Sequence, residues 1–400
     1  MVDGNRSDIC VVGGAGHVGL PLGLVFAAKE QRVVLYDVNT EALDLIRQGR
    51  MPFIEYGAEA ILNAVLGKTL FLSNDIRDLG RARFVVIAIG TPVDEYLNPK
   101  LRQFLEFFAT LRPYLRTDQT IIIRSTVYPR TCEQVQHLLS EDGSGPWHIA
   151  YCPERIAQGY AIQELNDLPQ LVSGLSGKAV DDASALFAKI APQLVQVTIK
   201  EAELIKLFCN AWRYIQFATA NQFYMIAHSF GVDFNRVREA MVEGYARAAS
   251  LPGAGFAAGP CLLKDTLQLA AFNNNNFLLG HAAMMVNEGL PGFIVESLRR
   301  RYDLGRTCVG ILGMAFKADI DDIRDSLSYK LGKILRFHGA RVLYSDEFVK
   351  DPTFMSKERL LAESDVVIVG VPHSAYRQLS LPPHVDVVDL WSALPMQGSK

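Results

Sequence analysis

The residues whose types and spacing suit covalent and proton-transfer chemistry fall in three short segments of this 400-residue chain. The first is Gly255-Phe256-Ala257-Ala258-Gly259-Pro260-Cys261-Leu262-Leu263-Lys264-Asp265. Small residues leave the backbone there exposed and tightly folded ahead of a thiol, and a cation and an anion follow within four residues. A nearby lysine and a helix start both favour the thiolate, the nucleophilic form of cysteine. A buried, inert cysteine is the commoner fate of such a residue and stays open at this point. The second segment carries Lys206 and Asn210, four apart and so on one face of a helix. Buried without partners they would be costly; a solvent-facing stripe is the alternative. The third ends in Glu154, just past the apolar run 148–152, where a carboxylate can act as a base, hold a water, or simply face solvent.

These residues need elements to position them, and the clearest positioning signal is Gly14-Ala15-Gly16-His17-Val18-Gly19. It stands between an apolar, strand-like run at 9–13 and a helical stretch at 20–29. In that setting Gly14 permits a tight turn, Gly16 lets the backbone approach a pyrophosphate, and Gly19 lets helix and strand pack closely. The helix N-terminus adds free N–H groups for the phosphates. A second strand-like run at 32–37 ends in Asp37, where a ribose 2′-hydroxyl is expected. Asp37 would repel a 2′-phosphate and Val38-Asn39 supply no arginine, which favours NAD over NADP.

Further apolar runs at 84–89, 120–125, 148–152 and 170–173 alternate with segments long enough for crossover helices, the rhythm of a doubly wound parallel sheet. Ligands of such sheets bind beyond the C-terminal strand ends. Gly90-Thr91-Pro92, Ser125-Thr126 and Pro153-Glu154 occupy those ends and should surround the nicotinamide. Helical periodicity through 201–230 predicts one helix of roughly eight turns, long enough to bridge two domains or to meet a second subunit. Shorter helices are expected over 237–243 and 281–301, with a helix-ending turn at 273–276. Strand-like runs return at 308–313, 341–344, 365–369 and 385–388, and the first leads into Gly313-Met314-Ala315-Phe316-Lys317, not a second GxGxxG. The expected architecture is α/β: two Rossmann-like doubly wound domains joined by a long central helix. Its expected regions are 1–200 for NAD, 201–300 for the helix and cysteine loop, and 301–400 for a second nucleotide.

Composition narrows the partners. With 49% hydrophobic and 21% charged residues the chain reads as a soluble globular protein. A net charge of -3 offers no bulk-charge argument for nucleic acid. No apolar run reaches the ~18 residues of a membrane span, and no signal-peptide core follows the N-terminus, so a cytoplasmic location is expected. The 6 cysteines are scattered without a CxxC, as reduced thiols are, and the 8 histidines show no metal-ligand spacing.

The segments GAGHVGLPLG, GTPVDE, STVYPRT, PERIAQG, ELIKLFCNAW, GFAAGPCLLKD and AFKADIDDIRDS, in this order, resemble the nucleotide-sugar 6-dehydrogenases, which comprise the UDP-glucose, GDP-mannose and UDP-N-acetylhexosamine dehydrogenases. The resemblance spans nearly the whole chain. It implies oxidation of a sugar C6 hydroxyl to a carboxylate with two NAD, in a homodimer or larger assembly. By motif position it implies that Cys261 traps the aldehyde and forms a thioester. Lys206 and Asn210 would stabilise the alkoxide and oxyanion, and Asp265 would order a water with Lys206. Glu154 would serve thioester hydrolysis, and Thr126 would lie near nicotinamide and water. Gly14, Gly16, His17, Val18, Gly19, Asp37, Thr91 and Pro92 would hold the cofactor. Gly255, Phe256, Lys264, Phe316 and Lys317 would hold the sugar nucleotide, with Arg324 contacting it and the cofactor. Arg247 would reach a neighbouring subunit's substrate.

Departures from the family pattern bear on the sugar. Ala257-Ala258-Gly259-Pro260 replaces the usual GG-S before the cysteine, and Pro260 fixes φ and lacks an N–H. PERIAQG replaces a PEFL-type segment. Retention of Lys264-Asp265 leans toward a UDP-glucose-like substrate, with N-acetylhexosamine and GDP-mannose as alternatives. The rival classes are a 3-hydroxyacid dehydrogenase with a Lys-xxx-Asn helix and an NAD-responsive binding protein on the same fold.

Overall fold

Strands side with their neighbours on alternate faces, so a run that is apolar at every position must be covered on both sides. In β1 (Ser7–Val12), Ile9 and Val11 enter one apolar cluster while Cys10 and Val12 enter another. The computed structural model describes residues 7–91, 93–94 and 100–395, which divide into two units, 1–208 and 209–400.

The first unit continues through α1 (Gly19–Ala28), β2 (Val33–Tyr36), α2 (Thr40–Arg47), α3 (Ala58–Val65), β3 (Leu70–Ser73), β4 (Ala82–Ile87) and α4 (Leu101–Leu111). It then runs through β5 (Thr120–Ile123), α5 (Thr131–Leu139), β6 (His148–Tyr151), α6 (Ala161–Asp167), β7 (Gln170–Gly174), α7 (Gly177–Phe187) and β8 (Leu194–Gln196). The sheet order is β3-β2-β1-β4-β5-β6-β7-β8. Every pairing is parallel except β6 with β7. The first six strands therefore follow the Rossmann order, which reverses between β1 and β4. Sequence reading missed β3 and β8. Both are edge strands, short and largely half-buried, so they lack the apolar run that marks the central ones.

The boundary between the units falls within α8 (Ile199–Ser229), a helix of 31 residues. The second unit adds α9 (Phe234–Val242), α10 (Leu262–Phe272) and α11 (Leu278–Arg299). A second Rossmann-like sheet follows: β9 (Cys308–Leu312), α12 (Leu327–Phe337), β10 (Arg341–Ser345), α13 (Lys357–Glu363), β11 (Val366–Val369) and β12 (Asp386–Val388). Its order is β10-β9-β11-β12 and it is parallel throughout. Val309, Ile311, Val366 and Ile368 pack on one face with Leu331 and Leu335 of α12, while Leu312, Val367 and Val369 pack on the other with Leu360 and Leu361 of α13. Among the described residues no helix is long and apolar enough to cross a membrane, and no His/Cys/Asp/Glu group is arranged to hold a metal ion.

Candidate functional site

In the first unit the strand order reverses at β1, and the glycine loop sits at that strand's C-terminal end. The residue that takes the left-handed conformation there is Gly13, with φ +80°. Gly14, the turn residue expected from sequence, is bare for a different reason: a Cβ would come 2.7 Å from Leu35 Cβ. At Gly19 a Cβ would lie 2.2 Å from the Gly13 carbonyl oxygen, so α1 can start against the loop only without a side chain. Gly16 differs. A Cβ there would meet nothing closer than the Gly13 oxygen at 3.4 Å, so the chain's own packing does not require a glycine at that position. Val18 ends the loop as the α1 N-cap without a side-chain hydrogen bond to the helix, and His17 packs on Phe53 with ring centroids 3.9 Å apart. Asp37 accepts the Ala15 N–H on Oδ2 and the Asn39 N–H on Oδ1, both at 2.9 Å, which ties the acid to the glycine loop. An open cradle at a helix N-terminus with an acid at the end of β2 fits a dinucleotide.

Along the same strand ends, Thr91 and Thr126 are half-buried; Pro92 lies outside the described residues. Ser125 Oγ donates to the Ile87 and Ile89 carbonyls at 3.3 and 2.7 Å, tying the end of β5 to β4. Lys206 Nζ donates to Glu154 Oε1 at 3.1 Å, with side chains only 6% and 13% exposed. A solvent-facing stripe is therefore ruled out for Lys206. The Ile156 N–H holds the other Glu154 oxygen at 2.8 Å. One helical turn before Lys206, buried Glu203 accepts the Arg130 and Cys132 N–H groups at 2.6 and 3.1 Å, where α5 begins. Burial pushes the Glu203 carboxyl up, against those two hydrogen bonds. Sequence reading missed Glu203, although an acid on the buried face of an otherwise apolar helix was the available signal.

In the second unit Cys261 is exposed and immediately precedes α10 as its N-cap, so its thiol is not buried. The positive end of a helix favours a thiolate. Arg324 grips Asp322 with Nε to Oδ1 at 3.0 Å and Nη2 to Oδ2 at 2.6 Å. That hydrogen bonding raises the Arg324 pKa, and the nearby charges of Cys261 and Asp325 add to it. Asp265 is wholly buried and accepts Asn210 Nδ2 on Oδ2 at 2.5 Å. Lys264 Nζ forms an ion pair with its Oδ1 at 3.1 Å.

The loop ahead of Cys261 is held from several sides. Asn221 of α8 accepts the Gly255 N–H at 2.8 Å, donates to its carbonyl at 2.9 Å, and donates equally to Asn287 of α11. Asn287 in turn donates to the Tyr214 carbonyl at 3.0 Å. These two buried asparagines were missed by sequence reading, which followed only the apolar periodicity of the helices. Gly259 has φ +95°, and its Cβ would meet the Phe316 ring at 2.6 Å. Phe256 is buried, and Lys317 is half-buried beside Phe316. Arg247 is exposed, with its guanidinium 5.8 Å from the Tyr245 ring.

Asp346, just past β10, occupies the position in the second sheet that Asp37 occupies in the first. It accepts the Met314 and Ala315 N–H groups on Oδ2 at 2.6 and 3.0 Å and the Phe348 and Val349 N–H groups on Oδ1 at 2.8 and 2.9 Å. His373 Nδ1 accepts the Asp319 N–H at 2.9 Å, so the neutral ring carries its proton on Nε2 and donates it to Asp346 Oδ2 at 3.1 Å. This acid has no exposed side-chain surface and is committed to holding its own loop.

Residues 7–191 match the NAD binding domain of the UDP-glucose/GDP-mannose dehydrogenase family, residues 200–288 its central domain, and residues 310–394 its UDP binding domain. A UDP-N-acetyl-D-mannosamine dehydrogenase of Pyrococcus horikoshii is 28% identical over 380 residues, covering 92% of this chain and 90% of that protein. A GDP-mannose 6-dehydrogenase of Pseudomonas putida is 28% identical over 421 residues, covering 94% of each. The solved structure of a UDP-glucose dehydrogenase from Pyrobaculum islandicum superposes with a TM-score of 0.88 at 27% identity, covering 98% of this chain and 95% of that one.

Proposed function

Because this chain belongs to the UDP-glucose/GDP-mannose dehydrogenase family, we propose that it oxidises the C6 hydroxymethyl group of a UDP-linked hexose to the carboxylate, with glucose as the leading sugar. NAD, held by residues 13–19 and Asp37, supplies the hydride acceptor and is used twice per sugar. The observation that carries this reading is the exposed Cys261 at the start of α10, one turn before the buried Asp265 that binds Asn210.

Lys206 and Asn210 are assigned to the substrate oxygen, where an ammonium and an amide N–H stabilise alkoxide and oxyanion. The Cys261 thiolate adds to the aldehyde carbon and the carbonyl oxygen takes a proton, giving a thiohemiacetal. Loss of a hydride and a proton from that carbon and oxygen leaves a thioester. Glu154 takes a proton from the attacking water, the C–S bond breaks, and the thiolate leaves. In sum, one hydroxymethyl group, one water and two NAD⁺ yield one carboxylate, two NADH and three protons. Asp265 orients Asn210, and Lys264, Phe316 and Lys317 are assigned to the sugar nucleotide. Regions 1–200, 201–300 and 301–400 are assigned to cofactor, catalytic helix and loop, and nucleotide.

A 2-acetamido sugar is the second reading, favoured by the similarity to UDP-N-acetyl-D-mannosamine dehydrogenases. The exposed apolar residues Trp212, Phe223, Ile226 and Phe230 along and just past α8 support a homodimer or larger assembly, and free thiols suit the cytoplasm. The test is NADH yield and product mass with limiting UDP-glucose, UDP-N-acetylmannosamine and GDP-mannose. Two NADH per sugar and a carboxylate are expected. One NADH and a carbonyl product would refute the four-electron reaction, and no NADH with any sugar would favour a binding protein.

A further inference from the structure

Arg124, the first residue after β5, is a wholly buried arginine that no step above uses. Its Nη1 donates to the Cys152 carbonyl at 3.1 Å and to Gln170 Oε1 at 2.9 Å. Gln170 Nε2 donates in turn to the Pro153 carbonyl at 3.2 Å. Arg124 and Gln170 together therefore hold the two carbonyls immediately before Glu154. The guanidinium also lies 5.2 Å from the centre of the Phe187 ring. A buried cation demands a counter-charge, and arginine keeps its proton where lysine would give it up. Burial lowers the Arg124 pKa, and of the groups that oppose it Glu154 leads, followed by Cys152 and Tyr151. The Cys152 thiol is itself pushed up to about 12 by burial and is neutral, and a tyrosine hydroxyl is neutral in the physiological range. Glu154 itself is bound from α8 by Lys206.

We propose that Arg124 is a positioning residue for Glu154, aiming that carboxylate by fixing, with Gln170, the two backbone carbonyls that precede it. This rests on the assignment of Glu154 to thioester hydrolysis. Hydride transfer ends before hydrolysis begins, so the two can be read separately. A residue acting only on Glu154 should spare the first and slow the second.

The experiment uses the full chain carrying Arg124→Met, Arg124→Lys, Glu154→Gln and the Arg124→Met/Glu154→Gln pair. Without ligands, the double variant should lose less melting temperature than the sum of the two single losses, because the groups interact. Strict additivity would overturn the pairing. In rapid mixing with NAD and UDP-sugar, Arg124→Met should keep the first-turnover burst of NADH. Its steady-state rate should fall about 10- to 100-fold, with a sugar adduct on Cys261 visible by intact mass. Burst and steady state falling together, with no adduct, would overturn the role. Should Arg124→Met not fold, Arg124→Lys decides: a buried lysine that gives up its proton should keep the burst and slow the steady-state rate about 10- to 100-fold, and hydrolysis at the parent rate refutes the proposal. Absence of NADH with every sugar would refute the proposed activity, while the melting data would still decide the Arg124–Glu154 pairing.

Discussion

Replacing Gly16 by alanine should leave the free protein intact and damage cofactor binding, whereas the same change at Gly19 should destabilise the protein before any cofactor binds. At Gly16 the added Cβ meets only the Gly13 carbonyl oxygen, at 3.4 Å, and the residue does not have a positive φ. The change in folding free energy should stay within about 0.5 kcal/mol, typical of a substitution without a clash. Once a pyrophosphate lies against the loop, the same methyl has to be accommodated between two surfaces. Overpacking of that kind costs about 1–3 kcal/mol, which weakens NAD binding about 5- to 150-fold. At Gly19 the Cβ falls 2.2 Å from the Gly13 oxygen and 2.9 Å from its carbonyl carbon. Those are backbone atoms at the end of β1, so the loop has to move before any ligand arrives. A loss of about 1–3 kcal/mol follows, and each 1 kcal/mol lowers the melting temperature by about 2–4 °C for a unit of this size. The assay is thermal unfolding of both variants without NAD, followed by NAD titration at a temperature where each is folded. A Gly16→Ala protein that melts several degrees low without NAD, or that binds NAD within twofold of parent, would refute the assignment of that space to the phosphates.

Cys261→Ser should abolish release of the carboxylate by at least about a thousandfold; product forming at the parent rate would remove Cys261 as nucleophile. The parent should prefer NAD over NADP, and Asp37→Ala should narrow that preference about tenfold, the worth of a hydrogen bond to a charged group; equal reduction of both cofactors by the parent would dismiss Asp37. Burial acts to raise the Asp346 pKa, but its hydrogen bonds to His373 and the loop N–H groups hold it down to about 2. Its contribution of about 2 kcal/mol is complete above the ordinary carboxylate range near pH 4 and is lost as pH falls toward 2. Asp346→Asn should therefore lower stability at pH 7 while flattening the loss between pH 4 and 2 in urea titrations, and an unchanged slope would refute this.

The elements were readable where apolar periodicity is long. The helix expected over 201–230 is observed as Ile199–Ser229, and the strand-like runs at 84–89 and 308–313 correspond to Ala82–Ile87 and Cys308–Leu312. Short edge strands carry too few buried positions to stand out, so Leu70–Ser73 and Leu194–Gln196 were missed. In the glycine loop the motif was visible, but its left-handed residue was not. The positive φ falls at Gly13, while at Gly14 it is the approach of Leu35 from β2 that leaves no room for a side chain.

The sequence by itself determined two α/β sheets, the long helix, the dinucleotide loop and the segments on which Lys206, Asn210, Cys261 and Glu154 stand. Those properties follow from spacing within a few turns or a single strand, and local spacing is what a chain records directly. Only the tertiary structure decided the partners. Glu154 binds Lys206 across 52 residues of chain and Asn210 binds Asp265 across 55, while Gln170 reaches Arg124 across 46. Hydrogen bonds of that separation are set by sheet order and helix packing. Whether a polar residue on an apolar face is left unsatisfied or completed depends on a group that local pattern does not reveal.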